Sequence, residues 1–270
     1  MVAAESSFPP ARLPSLGMGQ WTPWLRRAGF YLALLALWQV LASAGVWPSY
    51  VLPGPDAVAA SLADGLRQGV FLAAAAVSLS RLAAGYAISA GVGTLLGLAI
   101  ARFSLAEELL GSLVLALQSL PSVCWLPLAI LWFGLNEQAV IFVVVMGALF
   151  SITLGVAGGV RNTPPVYVKA ARNMGCHGWR LYSRVVLPAA MPAVLAGLKQ
   201  GWSFAWRSLM AGELIYFSLS LGNLLQTGRD LNDAARVMAV MAVIMAIGLV
   251  CDQLLFAPAE RRMRAKRGLS

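Results

Sequence analysis

Apolar residues in this chain gather in long blocks, rather than in the strict alternation of strands or the narrow stripes of soluble helices. A helix needs roughly 20 mostly apolar residues to cross a hydrocarbon layer of ~30 Å. Blocks of that order run at about Phe30–Val46, Leu82–Ala101, Leu109–Phe133, Ala139–Gly158, Val186–Trp206 and Arg236–Phe256. The pattern therefore predicts an all-α membrane protein of about six transmembrane helices. Between the fourth and fifth blocks the rhythm changes. Thr163-Pro164-Pro165 reads as a helix start, with Thr163 as the cap and a proline where the N–H has no partner to lose. Val166, Ala170 and Met174 then fall at i, i+4 and i+8 on one face, and Gly175 follows as a left-handed stop. Trp179 and Tyr182 share a second short turn before Pro188 opens the fifth block. Two short amphipathic helices at an angle make a knob of the kind that seats in an apolar cleft of a partner.

Inside the blocks, small residues recur every fourth position. Gly85, Ser89, Gly93, Gly97 and Ala101 do so in the second block, and Gly197, Gly201 and Ala205 in the fifth. Such stripes let helices pack backbone to backbone in lipid, a better explanation for them than lining a pathway. Arg81 lies one turn before the first stripe and Glu213 on the face of the second. An ionisable side chain in a span is expensive and marks a candidate functional position. Arg81 and Glu213 are able to pair across helices. Arg207 and Glu213, six residues apart, point about 120° away from each other and do not pair within their own helix. Two readings stand together: Arg81 and Arg207 make the outer part of a cavity attractive to anions, or they snorkel or form buried structural pairs.

Composition narrows the class. With 270 residues, 59% of them hydrophobic, only 11% charged and a mean hydropathy of +0.75, the chain carries too little charge for a dispersed soluble domain. The net charge of +9 sits in loops and at the tail beside apolar runs, which fits membrane orientation and not nucleic acid. Arg26-Arg27, the group Arg161, Lys169, Arg172, Arg180 and Arg184, and the tail Arg261, Arg262, Arg264, Lys266 and Arg267 all fall on one side of six spans. The opposite loops carry mainly Arg67 and Arg229. Both termini and the loop at about residues 163–188 are thus expected in the cytoplasm. Residues 1–28, rich in proline, read as a flexible cytoplasmic tail, 29–258 as the membrane domain, and 259–270 as a basic cytoplasmic tail.

Cys124, Cys176 and Cys251 are too scattered for a disulfide framework, and His177 has no neighbours at metal-ligand spacing. No G-x-x-x-x-G-K-[ST] phosphate loop, H-E-x-x-H helix or G-x-S-x-G elbow occurs. The spans hold no acidic cluster of the kind that drives proton- or sodium-coupled carriers. A membrane-embedded enzyme and an ion-coupled secondary carrier are therefore the disfavoured classes, and energy is expected to come from another subunit.

The order Ala170-Ala171, Gly175, nine residues, Val185, Leu187-Pro188 resembles the EAA loop of the permease subunits of bacterial ABC importers, with Lys169 in the place of the name-giving glutamate. Leu52-Pro53-Gly54-Pro55-Asp56-Ala57-Val58, Ser78-Leu79-Ser80-Arg81, Trp132-Phe133-Gly134 and Ala211-Gly212-Glu213 resemble, in that order, the nitrate/sulfonate/taurine branch. The resemblance implies a type I (MetI-like) permease fold in the inner membrane, with no cofactor of its own. Implied partners are a cytoplasmic ATPase dimer that binds the ATP, a periplasmic or surface solute-binding protein, and a second permease chain, most simply an identical one. The docking residues it implies are Lys169, Ala170, Ala171, Met174, Gly175, Trp179, Leu187 and Pro188. The pathway candidates are Arg81, Arg207 and Glu213. The implied solute is a small anion such as an alkanesulfonate, taurine or nitrate, with a neutral vitamin precursor as the alternative. Leu221, Leu224 and Leu225 make a short outer segment that either meets the binding protein or caps the interface.

Overall fold

A computed structural model describes residues 23–265, and its regular elements are all helices. The parts of the expected tails before residue 23 and after residue 265 lie outside the described residues. In chain order the helices are α1 (Pro23–Ser43), α2 (Pro55–Arg67), α3 (Val70–Arg102), α4 (Ser104–Gln118), α5 (Ser122–Phe133) and α6 (Glu137–Arg161). After them come α7 (Pro165–Asn173), α8 (Gly178–Glu213), α9 (Leu221–Asp230) and α10 (Ala234–Met263). Helices α1, α3, α6, α8 and α10 are each long and apolar enough to cross a membrane.

The third expected span differs from a simple rod. The block Leu109–Phe133 is two helices, α4 and α5, bent by 100°. Pro121 has no N–H to continue the ladder and drives Leu120 out of the helical region, so the chain turns at Ser119–Pro121. Two further boundaries differ from expectation. Helix α1 begins at Pro23, within the stretch assigned to the tail, and helical structure at the other end runs on to Ala265. Both extensions carry charged residues out of the apolar block without a break in hydrogen bonding.

The core is α3, α6 and α8. Helices α3 and α6 run parallel, since Gly85 lies against Val144 and Gly97 against Val156. Parallel neighbours need a return crossing between them, and α4–α5 supply it. Helix α8 runs antiparallel to α6, with Gly147 beside Ser208, Gly155 beside Gly197 and Gly159 beside Val194. At the Gly155–Gly197 crossing a methyl group on Gly155 would sit 2.5 Å from the Gly197 Cα, so the backbones meet with nothing between them. Along the three-helix core Leu82, Val140, Val144, Ile152, Val156 and Leu209 are fully or almost fully buried. A second apolar cluster joins α2, α3, α9 and α10 through Val58, Phe71, Leu221, Leu224 and Val240. The leucines of α9 thus face the protein interior and not an external partner.

Charged pairs mark the two ends of the core. Arg81, Glu137 and Glu213 meet at one end; Arg161 pairs with Glu107 at 2.6 Å at the other, where Arg102 also lies over Tyr182. From Arg81 to Arg102 helix α3 rises about 32 Å, close to a hydrocarbon thickness. The costly ionic groups therefore lie at the rims of the apolar zone, and Arg81 is not in mid-membrane.

Candidate docking knob and translocation groove

The knob is built by α7 and the first turns of α8. Pro164 takes the N-cap position and Pro165 follows at the first turn. Thr163 does not cap: its hydroxyl turns back toward the Gly159 carbonyl at 3.5 Å, because the prolines leave it no first-turn N–H within reach. The helix ends as the sequence predicts. Gly175, at φ +79°, donates to the Arg172 carbonyl at 3.0 Å, and Cys176 donates to the Ala171 carbonyl at 2.9 Å. This paired closure is a Schellman turn, and its left-handed residue favours glycine.

The knob has two faces. Ala171 is buried, and with Val168, Cys176 and Leu181 it seats α7 on the end of the bundle. The other face is bare: Val166, Tyr167 and Ala170 are exposed, Met174 is 80% exposed and Trp179 82% exposed. Lys169, Arg172, Arg180 and Arg184 are exposed around this apolar cap. Past Leu181 the helix carries one π-type turn at Tyr182–Val186 and continues through Leu187 and Pro188 into the span. The α8 part of the knob and the span are therefore one piece of helix, with α7 joined to it by the turn at Gly175.

At the opposite end, Arg81 donates to Glu213 at 3.1 Å, to Glu137 at 3.2 Å and to the Ser218 hydroxyl at 3.1 Å, with its guanidinium over the Tyr216 ring. Glu213 also accepts from the Ser78 hydroxyl at 2.7 Å and from the Gly222 N–H at 3.2 Å, and Ser78 in turn accepts from the Leu221 N–H. Arg81 is 4% exposed and Glu213 fully buried. This latch ties α3, α6, α8 and α9 together. The structure brings two of the three pathway candidates into one buried pair and leaves the third elsewhere.

Arg207 is exposed and lies over the Phe204 ring at 5.4 Å; among the described residues no carboxylate pairs with it. It lines a cavity of about 280 Å³ with Gln118, Ser119, Ser122, Ser151 and Phe204. Gln118, Ser119 and Ser151 also line an adjoining open cavity of about 610 Å³, whose floor is Gly155, Gly158, Gly159 and Gly197 and whose wall includes Gln200. The two form one groove along α4, α6 and α8. The Gln118 Oε1 atom is buried without a hydrogen-bond partner among the described residues. Sequence reasoning missed Gln118, Ser119, Ser151 and Gln200. Their signal was available as two glutamines inside apolar blocks and a Ser-Leu-Pro break at residues 119–121.

Elsewhere, Lys199 on α8 bridges Asp252 at 2.9 Å and Glu260 at 3.2 Å, fixing the last turns of α10 against the core. Among the described residues no group of His, Cys, Asp and Glu is placed to hold a metal ion.

Comparisons with known proteins fit this architecture. The family model described as binding-protein-dependent transport system inner membrane component matches residues 93–265, which include the groove and the knob. The chain is 33% identical over 178 residues to a putative ABC transporter permease protein of Methanocaldococcus jannaschii, covering 66% of this chain and 67% of the relative. It is 30% identical over 230 residues to a putative aliphatic sulfonates transport permease protein of Escherichia coli, covering 85% and 86%. It is 28% identical over 235 residues to a bicarbonate transport system permease protein of Synechococcus elongatus, covering 82% and 83%.

Proposed function

The chain belongs to the family of binding-protein-dependent transport inner-membrane components, as the permease subunit of an ABC importer and not an enzyme, and from that premise we propose how its parts divide the work. Membership carries with it an ATPase subunit and a substrate-binding protein. The α7–α8 knob is the ATPase seat, lying in the cytoplasm with both termini. The groove along α4, α6 and α8 is half of the solute path, completed by a second copy of the chain. The solute is a small anion, in keeping with relatives whose names specify aliphatic sulfonates and bicarbonate.

The observation that carries the docking reading is the bare cap of Val166, Ala170, Met174 and Trp179 inside a basic ring, with Trp179 on the helix that continues into the core span and α7 seated against that helix through Ala171 and Leu181. A surface of that kind, rigidly joined to a span, converts closure of a bound ATPase pair into rigid-body movement of the helices around the groove. Gly175 and Ala171 set the bend and the close seat of the knob, Leu187 and Pro188 carry it into α8, and Lys169 supplies a positive charge at its edge. Arg207 and the Gln118 Oε1 atom, unpartnered among the described residues, give the groove a cation and an acceptor. The Arg81–Glu213 latch is satisfied internally, so its part in this scheme is to hold the outer end closed, not to touch solute.

The test is co-purification of the ATPase with Met174→Glu and Trp179→Glu permeases in membranes. Both substitutions place a carboxylate in the apolar cap and are expected to lower ATPase recovery at least tenfold, equivalent to about 1.4 kcal/mol, with permease folding unchanged. Undiminished recovery would refute the docking reading. For the solute, Arg207→Gln is expected to reduce uptake of an alkanesulfonate or bicarbonate while ATPase recovery stays normal. Saturable uptake of a neutral solute, unaffected by Arg207→Gln, would overturn the anion reading.

A further inference from the structure

Beside the knob, a cavity of about 570 Å³ opens between the last turns of α3 and the beginning of α8. Leu95, Leu98 and Ala99 on one side and Val186 and Leu187 on the other give it apolar walls, and the exposed residues Arg102 and Ser183 add polar groups. The Arg102 guanidinium lies over two rings, Phe103 at 5.7 Å and Tyr182 at 5.2 Å. Among the described residues no carboxylate pairs with it, whereas Arg161 nearby is neutralised by Glu107. A cation cradled by aromatic faces, without an anion, thus adjoins an apolar cavity at the rim of the hydrocarbon zone.

We infer that this cavity is a binding site for an acidic phospholipid of the cytoplasmic leaflet, with an acyl chain along the Leu95–Leu98–Leu187 wall and the phosphate on Arg102. The leaflet assignment rests on the orientation proposed above. Apolar walls at this depth offer water no hydrogen bonds, so a hydrocarbon chain is the stable occupant. Lipid tails are as apolar as the walls, so tail burial cannot select one lipid over another. Selection falls to the headgroup, and basic pockets between spans on the cytoplasmic side take anionic heads. Trp179 and Tyr182, which belong to the knob, also line the cavity. The lipid therefore occupies the joint between the docking surface and the spans, and lipid composition regulates how firmly the knob is braced.

The test uses the full chain purified in detergent and exposed to a mixture of phosphatidylcholine and phosphatidylglycerol, with retained lipids counted by native mass spectrometry. The natural sequence is expected to retain phosphatidylglycerol in preference. Arg102→Gln should lower that preference about fivefold, the size of one basic contact near a charged leaflet. Arg102→Lys should keep most of it, and Arg161→Gln, whose charge is already paired, should leave it unchanged. An unchanged preference in Arg102→Gln, or equal loss of both lipids, would overturn the site. A photoreactive benzoylphenylalanine in place of Leu98 then identifies the occupant in native membranes. Lipid adducts support the proposal, and adducts chiefly to the ATPase or to a second permease chain overturn it. Neither measurement depends on ATPase docking. Failure of the knob reading, seen with Met174→Glu, is therefore separable from failure of the lipid site.

Discussion

Removing Arg81 isolates what the latch contributes. In Arg81→Ala the Glu213 carboxylate, fully buried, keeps the Ser78 hydroxyl and the Gly222 N–H but loses its only cation among the described residues. Leaving one member of a buried pair without its partner destabilises by about 3–5 kcal/mol. The second carboxylate on Arg81 is a different matter. The Glu137 side chain is 54% exposed, so water screens that pair and its loss in Glu137→Gln is expected to cost about 0–1 kcal/mol. Taking away both buried charges in the double variant Arg81→Ala/Glu213→Ala removes the stranded charge as well. The double variant should therefore be more stable than the sum of the two single losses by about 2–3 kcal/mol. The measurement is reversible unfolding of the purified permease in mixed micelles, followed by tryptophan fluorescence, across the four members of the cycle and Glu137→Gln. Additive losses in the double variant, or a Glu137→Gln loss as large as that of Arg81→Ala, would refute the assignment of Arg81 and Glu213 as one buried unit.

Two more predictions come from packing and charge. Gly155→Val must push α6 off the Gly197 backbone, and overpacking of this kind costs about 1–3 kcal/mol or more; Gly91→Ala, with nothing within 4 Å of the added carbon, should be neutral or slightly stabilising. The same unfolding assay compares them, and equal losses would count against the close crossing. Lys199→Met removes two bridges whose members are all partly exposed, so its cost is expected below about 1 kcal/mol, with a drop above about 3 kcal/mol as the contrary result.

Much of this was legible in the sequence because lipid imposes blunt rules. The glycine stripes of α3 and α8 do face α6, as a four-residue period of small side chains requires. Gly175 ends α7 in the left-handed region, a conformation open to glycine that is strained for most other residues. Hydropathy alone, however, cannot see direction. The block Leu109–Phe133 is apolar throughout, yet it bends by 100° at Pro121, and a window average passes over a single missing N–H. The latch was half visible: Arg81 and Glu213 stood out as charges in apolar runs, whereas Glu137 precedes the block that begins at about Ala139 and joins them only because α3 and α6 run parallel. The groove was hidden for a similar reason. Gln118, Ser151 and Gln200 lie far apart along the chain, and only the tertiary crossing of three helices puts them on one surface.

The π-type turn at Tyr182–Val186 has a consequence for evolution and engineering alike. Each residue advances a helix by about 100°, so the inserted residue in that turn fixes the azimuth of Trp179 relative to the groove-facing side of α8. A one-residue deletion there would swivel Trp179 through more than a quarter circle relative to the groove, and under the docking role proposed above a knob so turned would no longer pass its movement to the span. The timing belt of this machine is a single extra residue.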